Sequence, residues 1–136
     1  MAKPADPVDI VKLPGLSTRF VGFLTERYPF VARDAADAFE GVLDGRSPSS
    51  EAAIDALREP FRRELERRIE SRGLPDHAET TPGVKTDERL ASARAELLEA
   101  CDGFLRRAAI EASLTAAERV EILRGMVLTR ATDNRL

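Results

Sequence analysis

Thr115-Ala-Ala-Glu-Arg-Val-Glu-Ile-Leu-Arg-Gly-Met-Val-Leu-Thr-Arg-Ala-Thr-Asp-Asn-Arg-Leu136 is the stretch whose reading decides the fold. Thr115 is followed three residues later by Glu118, so hydroxyl and carboxylate can reciprocally satisfy free backbone N–H groups at a helix start. At 100° per residue, Val120, Ile122, Leu123, Met126 and Val127 share one broad arc, with Ala131 at its edge. The helix this predicts has a face that wants cover, and Val120, Leu123, Met126 and Val127 are its expected interface. Arg119 and Arg130 project into the same arc, where a lone desolvated guanidinium is very costly. Each must reach water or a carboxylate. Asp133, three residues after Arg130, is the nearest, so Arg130 and Asp133 are expected to form a structural ion pair. No Gly or Asn cap followed by Pro closes the helix before Leu136, which suggests a piece of something larger.

Upstream, the chain repeats this helical pattern. Residues 1–16 read as an extended arm, with prolines at positions 4, 7 and 14 around Val8, Ile10, Val11 and Leu13. Ser17 is the expected cap of a helix ending at Tyr28 before Pro29, with Phe20, Phe23 and Leu24 on one face. A second helix, from near Arg33 to Leu43, presents Ala35, Phe39, Val42 and Leu43 and stops at Asp44-Gly45. A third, from Glu51 to Arg72, carries the stripe Ile54, Leu57, Phe61, Leu65 and Ile69, but Pro60 lies inside it and predicts a kink or break. Residues 17–72 thus form a helical region. Gly73-Leu74-Pro75 matches a helix stop, and residues 73–86 read as a flexible loop. Residues 87–136 form a two-helix region: Thr86 is the expected cap of a helix carrying Leu90, Ala93, Leu97, Cys101, Phe104, Leu105 and Ala108, and the Thr115 helix follows it. No period-two strand appears. The expected fold is all-α, about five helices in a loose antiparallel bundle behind a Pro-rich arm.

Composition narrows the function classes. The chain has 136 residues, 43% of them hydrophobic, but no Trp, one Tyr and six Phe, so a thin, Ala-rich core of doubtful independent stability is expected. A net charge of −3 with 33% charged residues gives no strong field toward nucleic acid or an anionic membrane. Neither is expected as a partner. No apolar run has the length of a signal peptide or a membrane span, and the single Cys101 cannot form an internal disulfide, so a cytoplasmic protein is expected.

The segment Ile122-Leu123-Arg124-Gly125-Met126-Val127-Leu128-Thr129-Arg130, continuing through Asp133, Arg135 and Leu136, resembles the entrance helix of the catalytic region in E1 components of thiamine-diphosphate-dependent 2-oxo acid dehydrogenases, in the α-subunit or the fused α/β chain. The resemblance covers about the final fifth of the chain. It implies a parent enzyme that decarboxylates a 2-oxo acid oxidatively on thiamine diphosphate, with Mg, and passes the acyl group to a lipoyl domain. The family's Gly-Asp-Gly motif and the Asn that follows it are not in this sequence, where Asp44-Gly45, preceded by Leu43 and followed by Arg46, is the nearest echo. The resemblance therefore implies a non-catalytic amino-terminal segment with no cofactor of its own. Its partners would be the remainder of the E1 subunit and other complex subunits. The alternative is a free-standing helical adaptor that self-associates through its apolar faces.

No catalytic, cofactor-binding or metal-ligating set can be assembled from the residues themselves. His77, alone in a Pro/Thr-rich stretch, has no flanking ligands for a metal. Cys101 falls within an apolar stripe and reads as a core residue with a poorly ionised thiol. Arg58, Arg62, Arg63, Arg67, Arg68 and Arg72 crowd one helix, but Glu59, Glu64, Glu66 and Glu70 are interleaved with them. The i,i+4 pairs Arg62–Glu66 and Glu64–Arg68 neutralise the basic stripe that phosphate binding requires.

Overall fold

The structure, a computed structural model, describes residues 14–72 and 82–134. His77, the Gly73-Leu74-Pro75 stop, most of the expected loop and all but the end of the expected arm lie outside the described residues.

Among the described residues all six elements are helices, as the apolar periodicity requires: α1 (Leu16–Arg27), α2 (Ala32–Leu43), α3 (Glu51–Asp55), α4 (Arg58–Arg72), α5 (Thr86–Ser113) and α6 (Ala116–Asp133). Leu16 belongs to α1, so the helix begins inside the boundary expected for the arm. Gly15, not Ser17, occupies the cap of α1. Ser17 sits in the first turn instead and donates its hydroxyl hydrogen to Glu40 Oε1 of α2. Pro29 disfavours helical backbone at Tyr28, which swings to φ −135° as α1 stops. After α2, Asp44 (φ 48°) and Gly45 (φ 72°) take left-handed conformations. Arg46 donates from Nε and Nη2 to the carbonyls of Leu43 and Val42 at 3.0 and 2.8 Å, closing that helix end.

The expected break in the third stripe falls at Ala56-Leu57, between α3 and α4. Proline's ring collides with the carbonyl four residues earlier, here that of Ala56, and Pro60 has no N–H to offer it. The chain responds by restarting at Arg58, which leaves Pro60 in the first turn of α4, where its missing donor goes unneeded. Ser50 caps α3 by accepting the Ala53 N–H at 3.3 Å. Lys85, not Thr86, occupies the cap position of α5 and its side chain makes no capping hydrogen bond; Asp87 and Glu88 complement the positive end of the helix dipole instead.

Long-range pairs fix the packing of α1 to α5. Arg58 and Asp102, and Glu70 and Arg94, pair α4 with α5 in opposite directions. Arg19 with Glu111 and Tyr28 with Glu96 do the same for α1 and α5. At the centre is an aromatic cluster where a thin Ala-rich core was expected. Phe20 lies 4.5 Å from Phe39, 5.2 Å from Phe104 and 5.3 Å from Phe61, measured between ring centroids. Phe23 joins through Phe104 at 5.1 Å. Five of the six phenylalanines are therefore spent on one site. Leu24, Leu65, Leu97, Cys101 and Leu105 fill the space around them. A smaller cluster, Ile54 with Ala108 and Ala109, seats α3 on the far end of α5.

Candidate contact site

α6 departs from this pattern. Its start is the expected capping box: Thr115 Oγ1 accepts the Glu118 N–H at 3.2 Å, and Glu118 Oε2 accepts the Thr115 N–H at 2.8 Å. Donation to Glu118 Oε2 from the Thr115 N–H first, and then from the Thr115 hydroxyl at 2.8 Å, holds the Glu118 carboxyl below the usual range. Arg119 donates to the Glu111 carbonyl at 2.7 Å, tying the first turn of α6 to the end of α5. Beyond that turn no described residue buries any part of the helix. Not one of its residues is buried, whereas each of the other five helices buries at least one apolar side chain.

The side chains expected at an interface are the exposed ones: Val120, Leu123, Met126 and Val127 are 59–64% exposed, and Ile122 is 50% exposed. Leu128, also exposed, lies outside the arc defined by sequence periodicity, so the apolar surface of α6 is wider than one stripe. Singly exposed apolar residues are ordinary, but six on one helix make a contiguous patch of the kind that marks a contact site. The expected Arg130–Asp133 ion pair requires correction. Both side chains are exposed, and no salt bridge within 4.0 Å joins them; among the described residues α6 contains only an Arg124–Glu121 pair, at 3.9 Å. With no second surface to desolvate them, both heads stay hydrated, and an exposed pair worth about 0–1 kcal/mol does not hold two long side chains in place.

Elsewhere, surface chemistry follows the neutralised pattern expected of α4. Arg62–Glu66 and Arg68–Glu64 form at 3.4 and 2.7 Å, and Arg63–Glu59 and Arg67–Glu64 add to them. The two arginines on Glu64, Arg67 first, lower its carboxyl to about 2. Arg58 grips Asp102 through Nε and Nη2 at 2.7 and 2.9 Å, which the interleaved charges of α4 alone did not reveal because the partner is 44 residues away. A shallow cleft between α1 and α5 sets Arg27 and Arg107 beside Glu96 and Glu99, so it carries no net field. Cys101 is 1% exposed, and burial pushes its thiol up to about 12, consistent with packing rather than nucleophilic attack.

Asp44 is exposed in a left-handed turn that ends α2, and no group of three His, Cys, Asp or Glu among the described residues is placed to hold a metal ion. No described helix is long and apolar enough to cross a membrane. No protein-family model, curated protein or solved structure matches the chain.

Proposed function

We propose that this chain is a non-catalytic helical contact segment, in which the α1–α5 globule carries α6 and the apolar face of α6 seats on protein. The observation that carries this reading is the contrast between a saturated core and an α6 with no buried residue. By the resemblance of residues 122–136, the parent is an E1 component of a thiamine-diphosphate-dependent 2-oxo acid dehydrogenase, and the segment serves subunit or complex contacts within it. Reading the transcript past the Leu136 codon tests that parentage. The expected result is an open frame with a Gly-Asp-Gly motif and, some thirty residues on, an Asn; a stop codon with no such frame on the transcript refutes it.

The second reading, a free-standing adaptor that oligomerises through its helix faces, draws support from the closed aromatic core of α1 to α5, which buries its own stripes. A cooperative thermal transition and a defined oligomer by light scattering are its signature, and a helical but non-cooperative monomer argues against it.

A further inference from the structure

The charges on α6 say what its face is complementary to. With Ile122 as origin and 100° per residue, the apolar arc runs to about 180° and is centred near Leu123. Arg119 falls at about 60° and Asp133 at about 20°, so both lie on the Ile122 side of that centre. When two copies of one helix pack antiparallel about a twofold axis, the same flank of each faces the other. Position 119 is seven residues before Met126 and position 133 seven after it. An axis beside Met126 therefore sets Arg119 of each copy against Asp133 of the other, twice per pair. The same axis sets Arg130 level with Ile122 and one residue from Glu121 of the second copy, so its apolar stem can cover Ile122 while its head stays at the rim. A parallel pair would instead place Arg119 level with Arg119 and Asp133 level with Asp133. It would also align the two helix dipoles unfavourably.

We propose that α6 pairs antiparallel with α6 of a second copy of this chain, on a twofold axis beside Met126, with Arg119 facing Asp133 across the pair. This rests on reading α6 as the contact element and names its partner. An eighteen-residue helix offers a seam of about 27 Å, at the small end for a specific interface, so dissociation in the range of about 1–100 µM is expected.

Sedimentation equilibrium of the full chain from about 1 to 200 µM tests the pairing across that range. The wild type is expected to pass from monomer to dimer. Leu123→Glu is expected to stay monomeric throughout, with the thermal midpoint of the dilute protein unchanged, because Leu123 is not part of the core. Arg119→Asp and Asp133→Arg are each expected to weaken self-association by about tenfold or more, since each introduces two like-charge contacts per pair. Mixed together, those two variants are expected to form a heterodimer, because both cross-pairs are then complementary; this also controls for the Arg119 contact with Glu111. A wild type monomeric at every concentration overturns the pairing and leaves the parentage to be decided by the transcript. A dimer indifferent to Leu123→Glu also overturns it. A dimer broken by Leu123→Glu but not recovered on mixing the charge variants overturns the antiparallel register.

Discussion

Truncating Phe20 to alanine puts the largest single load on this fold. Its ring is fully buried and meets Phe39, Phe61 and Phe104 within 5.3 Å, centroid to centroid, so it bridges α1 to α2, α4 and α5 at once. Phe→Ala in a core costs about 3–5 kcal/mol, and the surrounding rings, held by four helices, have little freedom to collapse into the void. We expect a loss near the top of that range, about 4–5 kcal/mol, against a total stability of about 5–15 kcal/mol for a domain. With a urea slope of about 2 kcal/mol/M, the unfolding midpoint should fall by about 2 M. Circular dichroism at a concentration too low for self-association reads this directly. Phe30→Ala is the matched control: the same atoms are removed from a ring that is 90% exposed, and the shift should stay within about 0.5 kcal/mol. A Phe20→Ala loss below about 2 kcal/mol would refute an aromatic core built around this residue.

Cys101 should be inert to thiol reagents at pH 8 in the native protein and react fully in denaturant, since burial holds its thiol near 12; stoichiometric native labelling would contradict its place in the core. Asp102→Asn should cost about 1–3 kcal/mol at neutral pH, because it removes the carboxylate that receives the Arg58 fork through side chains only 19% and 30% exposed. The hydrogen bond from Arg58 holds the folded Asp102 carboxyl below its unfolded value of about 3.9, so this increment is present above about pH 4 and lost as pH falls through the folded value. Wild type and variant should therefore converge in acid unfolding titrations; a gap that widens below pH 4 would contradict the assignment. Thr115→Ala should remove about 1 kcal/mol from α6 alone, seen as faster amide exchange along 116–133 with no change in α5. Equal acceleration in both helices would show that the two unfold together.

Much of this fold is legible in the sequence because buried side chains recur at three- and four-residue spacings. Phe61, Leu65 and Ile69 on α4, and Leu97, Cys101 and Leu105 on α5, are expected inward and are found there. The Thr115–Glu118 box and the Pro60 break are local chemistry and could be placed to within a few residues. What escapes is anything that depends on which helices are neighbours. Periodicity assigns Phe20, Phe39, Phe61 and Phe104 each to a face, but their convergence, which turns a low aromatic content into a dense core, follows from the packing. Ser17 looks like a cap in isolation; once α2 lies alongside α1, Glu40 takes it. Arg130 and Asp133 show the opposite failure: their spacing allows a pair, yet without a burying surface water outcompetes it.

The central claim is that α6 stands outside the core and keeps its apolar face for another protein surface. Substituting Leu123 and Met126 together with glutamate, then following urea unfolding by circular dichroism at about 0.1 µM, well below the range in which pairing is expected, tests it most directly. The two side chains are 60% and 64% exposed, so the midpoint should move by no more than about 0.5 kcal/mol per site in equivalent stability, with the cooperative transition of α1 to α5 intact. A loss of about 3 kcal/mol or more would mean that α6 packs on its own globule, and the contact surface would vanish with it.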